Sequence, residues 1–227
     1  MGPLLVFGAH PDDIEFGCGG IVAAETRTRA VHLVVGSLGE AGSHGTPDQR
    51  RQEAEQAASI LGATLGFVEL GGDAHFQRSP HHALKLAEVI RQHRPATVLA
   101  PTPARNQHPD HAVLGELVRD ATRLARYGGL KELQDRPHAI DQLLFYAITA
   151  EERAPILVDV SQSVDQWRSA MEAHGSQTAA RQYVDLQLSR AHALGLSAGV
   201  DYAIGLYPND PLLLDSLSQV QRSARRF

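Results

Sequence analysis

Val6-Phe7-Gly8-Ala9-His10-Pro11-Asp12-Asp13-Ile14-Glu15-Phe16-Gly17 is the stretch that decides the fold. An apolar run stops abruptly at one imidazole and two adjacent carboxylates. Gly17-Cys18-Gly19-Gly20 follows, and the next apolar segment predicts a helix over 21–28. The order is strand, polar loop, helix. In an open parallel sheet ligands bind just beyond the C-terminal ends of the strands, which is where His10, Asp12 and Asp13 fall. A matching piece, His108-Pro109-Asp110-His111, follows a second apolar run, Val98-Leu99-Ala100-Pro101. Two histidines and a carboxylate converging on one sheet edge suit a catalytic zinc ion with an open coordination position. The same donor set also makes an iron(II) triad.

Outward from that stretch, strands and helices alternate. Unbroken apolar character predicts parallel strands covered on both faces over 3–9 and 31–35. Further strands are expected over 65–70, 97–100, 142–148, 156–160 and 202–206. Helices are expected over 47–61, 80–93, 109–126, 161–174 and 178–194. The helix at 47 is well signalled: Thr46 at the N-cap, Pro47 at the first helical position, Gln49 closing a capping box, Gly62 after the end. The pattern gives an α/β fold, a Rossmann-like doubly wound and mostly parallel sheet between two helical layers. There is no repeat or linker, so residues 1–227 read as one domain of ordinary size.

Composition narrows the function. A formal net charge of -5 argues against a general nucleic-acid binder. No apolar run approaches the roughly 20 residues of a membrane span, and no basic segment of a signal peptide precedes the first strand. The single cysteine, Cys18, excludes an internal disulfide and fits a reducing compartment. The expectation is a soluble cytoplasmic protein acting on a small molecule.

The candidate site is read residue by residue. His10, Asp13 and His111 can hold one metal ion. Asp12 cannot easily join Asp13 on it, since neighbouring side chains diverge, but it can take a proton from a water on the ion. The bland alternative is that Pro-Asp-Asp is only a turn and helix N-cap. His108 can be a fourth ligand. The preferred role is an imidazolium that stabilises an oxyanion and protonates a leaving amine, with Asp110 fixing its tautomer and raising its pKa. Arg50 shares the phase of Ala54, Ala57 and Leu61, so it extends the inward face of its helix toward substrate. Its alternative is a solvated ion pair with Glu53, and Arg51 is expected to pair with Glu55. Gly17 to Gly20 is a loose dinucleotide fingerprint set among acids that repel a pyrophosphate. Cys18 reads as a packing residue, and His75, His81 and His82 as surface residues. His44, in the glycine-rich loop, could face the pocket.

These residues resemble a known family. Ala9 to Asp13, Thr46 to Glu53 and His108 to His111 are similar to the LmbE/PIG-L zinc-dependent N-deacetylases, and look closest to the branch acting on N-acetylglucosaminyl malate in bacillithiol biosynthesis. The similarity extends to Asp165-Gln166-Trp167, Gly175-Ser176-Gln177 and Gly199 to Ala203. It implies zinc on His10, Asp13 and His111, Asp12 as general base, His108 as oxyanion stabiliser or acid with Asp110 as its partner, and Arg50 as a substrate contact. It also implies a homo-oligomer, a hexamer or trimer. His44, Asn106-Gln107 and Ile204 depart from that branch, at positions expected on the substrate rim.

The function expected is metal-dependent hydrolysis of the N-acetyl amide of an N-acetylglucosamine-type conjugate, with zinc as cofactor and Fe2+ as its substitute. The alternatives are an amidase of a specialised metabolite or thiol conjugate, and a nucleotide-binding Rossmann-like protein.

Overall fold

The computed structural model describes residues 2–104, 108–148, 153–220 and 222–224. The chain forms β1 Leu4–Gly8, α1 Asp13–Glu25, β2 Val31–Val35, α2 Pro47–Leu61, β3 Thr64–Phe67, α3 Pro80–His93, β4 Thr97–Pro101 and α4 Pro109–Ala125. There follow β5 Gln142–Tyr146, β6 Ile156–Asp159, α5 Val164–Glu172, the one-turn α6 Gly175–Thr178, α7 Tyr183–Ala198 and β7 Ala203–Pro208. One sheet has the order β3-β2-β1-β4-β5-β7-β6, parallel from β3 through β5, with β7 antiparallel to both β5 and β6.

The alternation of side chains along a strand builds two cores. Leu4 and Val6 of β1 face α1, α2, α5 and α7, together with Trp167 and Leu188. Leu5 and Phe7 face α3 and α4, with Leu86, Ile90 and Leu117. The three-layer doubly wound sheet read from the sequence is the observed fold. The strand order turns back between β1 and β4, so the loops leaving these two strands part and open a crevice at that edge.

Local departures have physical causes. α1 begins at Asp13 rather than at 21, and Cys18 is a non-helical kink within it. The glycine run is helix interior because larger side chains take its space. A Cβ on Gly17 would lie 2.4 Å from the Tyr146 ring, and one on Gly19 2.6 Å from Trp167. The run is thus a packing groove against aromatic rings, which corrects the nucleotide-loop alternative. The helix expected over 178–194 is displaced to α7, because Gly195 is accommodated against the Asp201 and Tyr202 backbone and Gly199 supplies the left-handed end at φ 71°. At α2, Thr46 accepts from the Gln49 N–H at 3.2 Å as expected, but the Gln49 side chain bonds Glu53 instead of closing the box. Arg51 pairs with Asp48 at 2.8 Å, not with Glu55. Ile204 is buried in the core on β7 rather than on the substrate rim. Asn106 and Gln107 lie outside the described residues.

Candidate metal-dependent active site

The turn after β1 is shaped by Asp13. Its Oδ2 accepts the backbone N–H groups of Ala9 at 2.9 Å and His10 at 2.8 Å. Asp12 occupies the N-cap position of α1 at φ 118°, a costly conformation for a residue with a side chain, and makes no capping hydrogen bond. Its carboxylate is therefore not spent on the helix and faces the cavity. At the end of β4 the chain returns to the same edge. Pro109 at the first position of α4 places His111 in the opening turn.

These two loops bring the sequence-selected groups together. His10 Nδ1 lies 3.3 Å from Asp13 Oδ2, and His111 Nε2 lies 2.9 Å from Asp13 Oδ1. His10, His108 and His111 each offer a ring nitrogen within 4.8 Å of the others. The opposite ring nitrogen of His10, Nε2, meets Asp73 Oδ1 at 3.0 Å and Asp110 Oδ2 at 3.2 Å. His10 is thus held between carboxylates on both sides, the arrangement that orients a metal-bound imidazole.

Asp73 was not singled out from the sequence as a site residue. The available signal was the pair Gly71-Gly72, which turns the chain after β3 and delivers a carboxylate to the same sheet edge. Asp110 does not play the part expected of it. Its carboxylate goes to His10 and to the Ala74 N–H at 2.7 Å. It is the Asp110 backbone N–H that donates to His108 Nδ1, at 3.3 Å. That bond makes Nδ1 an acceptor and leaves the proton on Nε2. The expected upward shift of His108 is also reversed: burial, then His10 and His111, hold its pKa below the ordinary value. With Nδ1 accepting the Asp110 N–H, the ring nitrogen His108 has left to donate is Nε2.

Arg50 is buried and lines the cavity, as its helical phase required. It donates Nη1 to the Gly39 carbonyl and Nη2 to the Pro11 carbonyl, each at 3.0 Å, and Nη2 lies 3.5 Å from Asp12 Oδ2. It makes no pair with Glu53, whose carboxylate is bonded to Ser176. Gly39, at φ 69°, must lack a side chain because a Cβ would lie 1.9 Å from Arg50 Nη1. His44, His75 and His81 are exposed, and the His44 ring does not line the cavity.

The electrostatics suit a cation. Burial alone would lower His10, but Asp13, Asp110 and Asp73 outweigh it and hold the ring up to about 12. Burial opposes the Asp13 anion, yet His111 and His10 keep it well below the usual carboxylate range. Burial and the adjacent Asp13 push Asp12 up to about 7. His111 Nδ1 is buried without a hydrogen-bond partner among the described residues. Imidazole and carboxylate donors around a surplus of negative charge fit a divalent ion of the zinc type. The cavity, about 230 Å³, has Phe16, Ile148 and Tyr183 on its apolar side.

Comparison with known proteins places the chain. It is 30% identical over 210 residues to 2'-N-acetylparomamine deacetylase of Streptomyces fradiae, covering 78% of this chain and 74% of the relative. It is 25% identical over 244 residues to 4-oxalmesaconate hydratase of Pseudomonas putida, covering 94% and 92%. The crystal structure of the conserved protein TT1542 from Thermus thermophilus superposes with a TM-score of 0.88 at 34% identity, over 94% of this chain and 97% of that one. Residues 5–122, which carry the whole histidine–aspartate cluster, match the family PIG-L: GlcNAc-PI de-N-acetylase. The chain therefore belongs to that family, with its histidine–aspartate cluster inside the matched residues.

Proposed function

We propose that the protein hydrolyses the N-acetyl amide of an N-acetylglucosamine-type conjugate, releasing acetate and a free amine. N-acetylglucosaminyl malate and an N-acetylated aminoglycoside are the two conjugates the resemblance and the relatives suggest. The observation that carries this reading is the Asp12 carboxylate, strained in its backbone, unspent on capping and set beside a metal-type donor cluster.

His10, Asp13 and His111 are the proposed ligands. A divalent ion, when bound there, polarises the amide carbonyl and acidifies the attacking water. Asp12 takes the proton that water gives up as it adds to the carbonyl carbon. His108, with Nδ1 occupied by the Asp110 N–H, presents its Nε2–H to the developing oxyanion. As the C–N bond breaks, the proton passes to the leaving nitrogen. Asp73 and Asp110 hold the His10 ring in one orientation throughout.

A water-adding activity on an unsaturated acid is the second reading, favoured by the near full-length similarity to the hydratase. One assay separates them. The zinc-loaded protein is offered N-acetylglucosaminyl malate, 2'-N-acetylparomamine, a neutral N-acetylglucosaminide and an unsaturated dicarboxylate. Free amine from any of the first three supports the deacetylase. Loss of the conjugated ultraviolet absorbance with no amine released from the others overturns it.

A further inference from the structure

The wall of the cavity contributed by α6 has no part in the chemistry above, yet it is tied down from three sides. His174, just before α6, is buried with Nε2 3.3 Å from Glu15 Oε2 of α1. Ser176 donates its N–H at 2.8 Å and its hydroxyl at 2.6 Å to Glu53 of α2. Gln177 Nε2 donates to the His44 carbonyl at 2.9 Å and lies 3.1 Å from Ser176 Oγ. Gly45, at φ 77°, leaves room for this approach, since a Cβ there would come within 2.8 Å of Ser176. A one-turn helix of four residues could not hold its shape unaided. These contacts fix it against the glycine-rich loop.

The consequence falls on Gln177, which lines the cavity. The His44 carbonyl can only accept, so the amide atom facing it is the nitrogen, and the orientation of the side chain is settled. Oε1 is then an acceptor with no hydrogen-bond partner among the described residues, carried by a side chain that borders the cavity. We propose that Gln177 is a specificity-determining residue whose Oε1 accepts a hydrogen bond from a ring hydroxyl of the amino sugar. This rests on the amino-sugar reading above. A fixed neutral acceptor selects a donor-bearing, uncharged part of the ligand and disfavours an anionic group at that position, because two acceptors cannot bond each other.

The test uses the zinc-loaded protein, methyl N-acetyl-β-glucosaminide and its 3-, 4- and 6-deoxy analogues. Binding is measured by calorimetry and turnover by amine release. Gln177→Met, similar in length and without a polar end, should weaken binding of the parent glycoside and raise its KM about three- to tenfold, the loss of one neutral hydrogen bond, with kcat within twofold. It should leave one deoxy analogue unaffected, the analogue that lacks the recognised hydroxyl. Gln177→Glu, which keeps an acceptor oxygen but no donor toward His44, should still prefer the parent over that analogue. Weakening of all four ligands alike in Gln177→Met, as a merely structural role would give, overturns the assignment. So does failure of the wild-type protein to bind any of the four. Selective binding without amine release from any of them leaves the recognition role standing, and the deacetylase reading is then decided by the malate and paromamine conjugates of the assay above.

Discussion

Arg50 Nη2 lies 3.0 Å from the Pro11 carbonyl and 3.5 Å from Asp12 Oδ2, so a buried guanidinium on α2 props the turn that presents the proposed base. The same side chain anchors the glycine-rich loop through Gly39 O. Lysine is a point charge and cannot reproduce this fork. Arg50→Lys should therefore lower kcat about tenfold or more, with a smaller change in KM, and should lower Tm by several degrees as hydrogen bonds worth about 1.5–3 kcal/mol each are lost. Steady-state kinetics with a melting curve checks this; a raised KM at unchanged kcat would make Arg50 a substrate contact instead.

Asp12→Asn should retain metal and lose roughly 10²–10⁴-fold in kcat, the usual value of a general base. It should also reveal a cost. Asp12 is raised from 3.8 to about 7 in the folded chain, so between those values the folded state binds more protons than the unfolded one. Its contribution to stability falls as pH rises through this window. Metal-free Asp12→Asn should melt above the metal-free wild type at pH 8, with the gain shrinking toward pH 4. Melting curves of both proteins without metal across that range decide it.

His111→Ala should abolish most metal binding, measured as zinc per chain. It also leaves Asp13 with one imidazole instead of two. An uncompensated buried charge costs about 3–5 kcal/mol, so the variant should be less stable even without metal. Retention of one zinc per chain would remove His111 from the ligand set. Chelation of the wild type should lower its Tm, since metal binding contributes to folding.

The His174–Glu15 pair gives a pH dependence of the same sign as that of Asp12, but its substitution should lower Tm rather than raise it. Burial alone would lower His174, but Glu15 and Asp12 outweigh it and raise it above 6.5. A histidine raised on folding contributes stability that is fully present below pH 6.5 and is lost as pH climbs through the folded value. The difference in Tm between wild type and Glu15→Gln should be largest near pH 6 and should narrow toward alkaline pH. A difference independent of pH would show that the pair acts through packing alone.

The sequence by itself determined the layers and the edge where the site lies. Apolar runs of strand length, Thr46-Pro47 and Gly62 around α2, the abrupt polar stop at His10 and the His108-Pro109-Asp110-His111 motif are local signals, and the structure places their elements within a few residues of expectation. The helical phase of Arg50 with Ala54 and Ala57 likewise put it inside. Tertiary structure decided what depends on contacts between distant segments. Gly17 and Gly19 became helix interior because Tyr146 and Trp167, more than a hundred residues away, fill the space beside them. Asp110 turned from His108 to His10 because β1 and β4 are neighbours, which brings residues 100 positions apart to 3.2 Å. Asp73 meets His10, and Gln177 is held at the cavity wall, only through partners distant in sequence: the Asp110 carboxylate that accepts the Ala74 N–H, and Glu53 that accepts from Ser176. Periodicity and capping are encoded over a turn or two of chain, whereas the partner of a buried carboxylate is chosen by which strands lie side by side.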